Sequence, residues 1–226
     1  MTESLFNSPL FGVLLCASTF LFGVFVNKKT GWVMLNPFLI SMTLSILFIQ
    51  FTSATLEQFN HGASFLQFLL APATCALAVS IYRQRKILGE NFIPVVAGCL
   101  VSAVVSIGSS FLLGALLGLD AVILASTIPS AVTTPIAIDI IAQNGGIVPI
   151  AMVCITITGI GGAIFSPVLI KLLRIENPVE MGVAIGASSH VVGTSKAIEL
   201  GEVQGAMSGV SIGIAGLITV FLTLFL

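Results

Sequence analysis

Charge is what this sequence has least of. Lys, Arg, Asp and Glu make up 8% of the 226 residues, against roughly a quarter in an ordinary soluble domain. That excludes a soluble globular protein wrapped in a charged shell. With 8 basic and 9 acidic residues and a net charge of −1, no basic stripe exists to neutralise phosphates, so no nucleic-acid partner is expected. The four cysteines (Cys16, Cys75, Cys99, Cys154) all fall in apolar runs and have no Cys-x-x-Cys spacing. A disulfide framework and a zinc site are therefore not expected, and the cysteines read as small buried hydrophobes. Histidine is limited to His61 and His190. There is no His-Glu-x-x-His and no nucleophile elbow. The chain does not read as an enzyme, and neither a cofactor nor a metal is expected.

What is there is apolar. Hydrophobic residues make up 57% and the mean hydropathy is +1.15. Charge-free runs cover 9–26, 33–51, 65–82, 92–118, 147–170 and 206–226, and a run at 121–141 contains only Asp139. A helix needs about 20 apolar residues to cross a bilayer. The expected fold is an all-α polytopic membrane protein forming a single integral domain over 1–226. It should have about seven to eight membrane segments, counting the polar stretch around His190. The first run has Glu3 and no Lys or Arg before it, so it does not read as a cleavable signal peptide. His61, with Glu57, reads as a solvated residue of a loop over 52–64.

The basic residues gather at Lys28 and Lys29, at Arg83, Arg85 and Lys86, and at Lys171 and Arg174. Such clusters favour the cytoplasmic side. Three apolar runs separate the second cluster from the third, which is the wrong parity for a shared side. The run at 121–141 carries Pro129 and Pro135, and each removes a donor and clashes with the preceding turn. A re-entrant hairpin there restores the parity.

The polar residues concentrate where helices should break. Ser188, Ser189, His190, Thr194, Ser195, Lys196 and Glu199 lie among Gly182, Gly186, Gly193, Gly201 and Gly205. Polar groups at membrane depth are costly and usually face a cavity or a bundle interior. A broken helix lining a hydrated pocket is expected, with the glycines as breaks. Thr74, Thr134 and Thr194 recur at equal intervals, each in a Pro- or Gly-interrupted segment. Internal repeats around discontinuous helices are a transporter architecture.

Three ordered motifs carry a resemblance. Leu70-Ala71-Pro72-Ala73-Thr74-Cys75-Ala76-Leu77-Ala78 is followed by Tyr82 and the basic run. Next come Ser130-Ala131-Val132-Thr133-Thr134-Pro135-Ile136-Ala137 and Gly145-Gly146. Last are Gly186-Ala187-Ser188-Ser189-His190-Val191-Val192-Gly193-Thr194-Ser195-Lys196-Ala197, Glu199 and Glu202. Together they resemble the LrgB/CidB family over essentially the whole chain. Ser80 departs from a common proline, and Ser130-Ala131 from a frequent Lys-Ser, which removes a cation from the middle motif. The resemblance implies one of two functions. One is antiholin- or holin-like control of murein hydrolase export and autolysis. The other is transport of small monocarboxylates of the pyruvate or glycolate type. It also implies a bacterial cytoplasmic membrane and a smaller LrgA/CidA-type membrane partner; a homo-oligomer is a further expected partner state.

A pore-former has no use for polar, helix-broken motifs, whereas an anion carrier does: half-helix N-termini supply free N–H donors and partial positive charge. Thr74, Thr133, Thr134, Ser188, Ser189, His190, Thr194 and Ser195 are the candidate substrate-binding residues. Lys196 either pairs with Glu199 at i+3 or supplies a countercharge. Asp139 and Glu199 occupy equivalent places and read first as structural.

Overall fold

The computed structural model describes residues 6, 8–32, 35, 37–52, 54–69, 72, 75–76, 79, 82–83 and 85–226. The described elements are helical, and the chain divides into two compact units, 1–74 and 75–226. Thr74 and most of the first motif lie outside the described residues.

The first unit holds α1 (Pro9–Thr30), α2 (Pro37–Phe51) and α3 (Leu56–Phe68). Ser8 caps α1 by accepting from Leu10 N, and Gly31 ends it at φ 66°, a left-handed position cheap only for glycine. Thr19 on α1 hydrogen-bonds Ser41 of α2 at 2.9 Å. Gly12 lets α1 approach the α3 backbone so closely that an added Cβ would stand 2.6 Å from Phe59 O. His61 is helical, in α3, rather than in a loop. The reason is local: Thr55 accepts from Gln58 N at 3.2 Å while Gln58 Oε1 accepts from Thr55 N at 2.9 Å. That reciprocal cap starts a helix.

The second unit contains α4 (Arg85–Glu90), α5 (Phe92–Leu117), α6 (Ala121–Thr127), a 3₁₀ turn (Ile128–Ala131), α7 (Thr134–Asn144), α8 (Val148–Leu172), α9 (Pro178–Leu200) and α10 (Glu202–Thr223). Four described helices are long and apolar enough to span a bilayer: Leu10–Thr30, Phe92–Leu117, Val148–Leu172 and Glu202–Thr223. Their outer faces expose large hydrophobics such as Leu112, Leu116, Phe165 and Leu217, as lipid-facing helices do. The α2 helix, at 15 residues, is shorter than a spanning helix needs.

Two helical hairpins organise this unit. In the first, α6 passes into the 3₁₀ turn, Val132 and Thr133 are extended, and α7 starts at Thr134. The chain then comes back to where it began: buried Ser126 at the end of α6 accepts from Ile147 N at 2.7 Å and donates to Val122 O at 2.7 Å. The second hairpin lies inside α9. His190 there has φ 41° and ψ −140°, and the residues on either side are helical. Neighbours along α10 give the directions of the two arms. Gly182 faces Gln204 and Met207, and Gly186 faces Ser208; on the way back Thr194 bonds Ser208 and Ile198 covers Gly205. Gly193 accordingly lies against Ser189 and Ile185. The arms 178–189 and 191–200 are antiparallel, with His190 at the tip.

The expected glycine breaks at Gly186 and Gly193 are not where the helix breaks. Both are helical, and they serve close approach: a Cβ on Gly186 would strike the Ser208 backbone, and one on Gly193 would strike Ser189. The expected cysteine burial holds in full only for Cys99, whereas Cys75 is exposed.

The α5 and α8 helices run antiparallel. The start of α5 (Pro94, Ala97, Gly98) shares a cavity with Ile175 and Val179, just past the end of α8, and its far end (Leu113, Leu117) shares one with Cys154 and Ile157. The first hairpin therefore adds no net passage between them. Arg85 and Lys86, in the short helix before α5, lie at the same end of the unit as Lys171 and Arg174.

Candidate functional site

The tips of both hairpins settle on one stretch of α8. His190 is 4% exposed, and its Nε2 lies 3.0 Å from Ile155 O. A carbonyl can only accept, so Nε2–H donates and the neutral ring carries its proton there. Gly159, one turn along α8, makes room for the ring; a Cβ there would stand 2.5 Å from His190 Cε1. Gly162 does the same for Ser189, which is 1% exposed. From the other side, Val132 of the first hairpin packs in the same apolar cluster as Ile155, Ala151 and Ile140. The 3₁₀ turn also packs against α5, α8 and α9. Ile155 and Gly162 bracket the middle of a 25-residue helix.

The backbone at His190 is strained. A positive φ with ψ near −140° is essentially a glycine region, costing a side-chain-bearing residue about 1–3 kcal/mol. The ring's hydrogen bond and the burial of Ser189 hold it there. Hydroxyls finish the tip: Thr194 Oγ1 lies 2.9 Å from His190 O, to which it can donate, and 2.7 Å from Ser208 Oγ. Ser188 donates to Ala184 O at 2.7 Å and meets Ser189 Oγ at 3.0 Å. Thr133, 8% exposed, sits at the N-cap of α7 with no side-chain cap bond. Thr134 is the first residue of α7.

Two half-helices, α7 and 191–200, begin at this junction, so their unsatisfied N–H groups face it. The arms that arrive there end in carbonyls. Donors and acceptors thus meet around a buried imidazole whose Nδ1 has no hydrogen-bond partner among the described residues.

Other expected residues are elsewhere. Ser195 is exposed and donates to Val192 O at 2.7 Å. Lys196 Nζ reaches Glu199 Oε2 at 2.6 Å, the i+3 pair, with Glu199 60% exposed. Asp139 is exposed on α7. The residues that receive the tip, Gly159 and Gly162, were not expected from the sequence, nor was Ser208. The glycine-rich run 159–162 in a spanning helix was the available signal, since small residues let membrane helices approach closely.

The LrgB-like family model matches residues 17–226. The chain belongs to the LrgB-like family. The antiholin-like protein LrgB of Bacillus subtilis (strain 168) is 30% identical over 214 residues, covering 94% of this chain and 93% of the relative. Antiholin-like LrgB proteins of Bacillus cereus (strain B4264) and Bacillus anthracis (strain CDC 684 / NRRL 3495) are each 28% identical over the same shares. No solved structure matches the chain.

Proposed function

We propose that this LrgB-like protein is a carrier of small monocarboxylates of the pyruvate or glycolate type. On this reading it is a single multi-pass domain of about seven to eight membrane segments in a bacterial cytoplasmic membrane. The observation that carries it is the junction at Ile155: a strained, buried His190 where two half-helices start and two end, at the middle of an apolar helix. Helix starts suit a carboxylate, and helix ends suit a co-transported cation or proton. His190 fits both roles. With Nε2–H held by Ile155 O, protonation adds a donor at Nδ1 for an anion, and deprotonation withdraws it. Ser188, Ser189, Thr133, Thr134 and Thr194 would complete the shell, and Thr74 and Ser195 are further candidates.

Each hairpin is followed by a long apolar helix, α8 or α10, and we read this as a tandem repeat of the kind seen in secondary transporters. The basic residues at Arg85, Lys86, Lys171 and Arg174 would then face the cytoplasm. An LrgA/CidA-type membrane protein and a second copy of the chain are the proposed partners. The second reading, control of murein hydrolase export and autolysis, is favoured by the name that the Bacillus relatives carry, antiholin-like.

Proteoliposomes holding the purified chain, with and without an LrgA-type partner, separate the two. Uptake of labelled pyruvate is expected, and His190→Ala should lower it at least about tenfold, roughly what one charge-assisted hydrogen bond to substrate is worth. Uptake that is absent in both preparations removes the carrier reading and leaves the regulator; uptake unchanged in the variant removes His190 from the substrate site.

A further inference from the structure

The end of the second unit opposite the α5–α6 turn holds a cavity of about 520 Å³ that the transport reading does not use. Lys171, Arg174 and Gln204 line it, with one carboxylate, Glu176. Neither cation has an ion-pair partner: Lys196–Glu199 is the single salt bridge among the described residues. Ile170, Met181 and Leu200 add an apolar part to its lining. Lys171 is in the last turn of the spanning helix α8, and Arg174 follows three residues on. Arg174 also has φ 54°. Helices that end this way usually carry glycine at such a position, and a side chain there is disfavoured.

Two unpaired cations at the end of a membrane-length apolar helix, in a cavity that also has apolar lining, are complementary to a phosphate headgroup and the start of its acyl chain. We infer that this cavity is a binding site for an anionic phospholipid. Lys171 and Arg174 hold the phosphate, Gln204 donates to it, and the acyl chain lies on Ile170 and Leu200. Basic pockets between membrane helices are suited to anionic headgroups, and each basic residue adds to the attraction. The position has a mechanical consequence. Met181 and Leu200 are the two feet of the α9 hairpin, so a lipid seated there bridges the end of α8 to the element that carries His190. The site stands whether or not the protein moves carboxylates.

The test uses the full chain, purified and examined by native mass spectrometry with phosphatidylglycerol, with phosphatidylcholine, or with inorganic phosphate. Phosphatidylglycerol should be retained at one per chain, on the order of tenfold more than phosphatidylcholine. Lys171→Gln with Arg174→Gln should erase that preference. Ile170→Trp, which enlarges an apolar lining residue and keeps both charges, should also expel the lipid and guards against misfolding of the first variant. Equal retention of the two lipids, or retention of phosphatidylglycerol by both variants, overturns the site. Displacement of phosphatidylglycerol by millimolar inorganic phosphate overturns the lipid assignment in favour of a soluble anion. Pyruvate uptake plays no part in the readout, so these outcomes are independent of the carrier.

Discussion

The two hairpins of the second unit reach the same stretch of α8 by different means. The first is broken by composition: Pro129 and Pro135 deny the helix its donors, and Val132 and Thr133 are extended between them. The second contains no proline between its first residue and its tip. It turns at His190, a residue with no intrinsic preference for φ 41°. Its turn is imposed by what surrounds it, namely Ile155 O, the gaps at Gly159 and Gly162, and the α10 helix against both arms. A proline break persists whatever the packing. A packing break can be opened and closed, and the polar residues cluster at that one. A site that must change state is better placed on the second kind of turn.

The contrast can be broken most severely at Gly186. A Cβ there would strike backbone atoms of Ser208, which cannot rotate away, so Gly186→Ala must displace α10 from the arm 178–189. Overpacking of this kind costs roughly 3 kcal/mol. Unfolding in detergent should show the loss, and little change would mean that the arms do not depend on α10.

The first hairpin should fail at its base, not at its tip. Ser126→Ala removes the acceptor of Ile147 N, a bond of 2.7 Å beside a residue that is 0% exposed. The Ile147 N–H is part-buried, and leaving such a donor without a partner costs up to about 1–3 kcal/mol. The loss should be about 2 kcal/mol in the same unfolding assay. A loss under about 0.5 kcal/mol would show that water or another group replaces the hydroxyl.

These differences explain what could be read from the sequence. Pro129 and Pro135 mark the first break because proline acts through its own covalent structure. Lys196 and Glu199 pair as their i+3 spacing allows, since that geometry is local. The break in α9 was expected at its glycines and lies between them, at His190. The information that moves it sits in Gly159, Gly162 and Ser208, on two other helices. Glycine in a membrane helix signals either a break or a close approach, and only the neighbouring helix says which. His61 is the reverse case: Thr55 and Gln58 spell a capping box, so its helix is written in the local sequence.

The smallest effect is the sharpest probe of the comparison. At an ordinary helical position glycine is less stable than alanine by about 1 kcal/mol. At position 190 the order should reverse. His190→Ala and His190→Gly both lose the hydrogen bond to Ile155 O, and both leave that carbonyl with its partner inside α8, so these losses cancel in the comparison. What differs is the backbone. Alanine must still be held at φ 41° and ψ −140°, whereas glycine occupies that region freely, which is worth about 1–3 kcal/mol against glycine's extra freedom in the unfolded chain, about 0.5–1 kcal/mol. Glycine should therefore be the more stable of the two by about 1 kcal/mol, read as the difference in unfolding midpoints in detergent, while pyruvate uptake is lost in both. If alanine is as stable as glycine or more so, the backbone at 190 is not strained and the turn belongs to the arms themselves. If glycine is the more stable and uptake survives in it, the imidazole only holds the tip in place, and the carboxylate is bound by helix starts and hydroxyls alone.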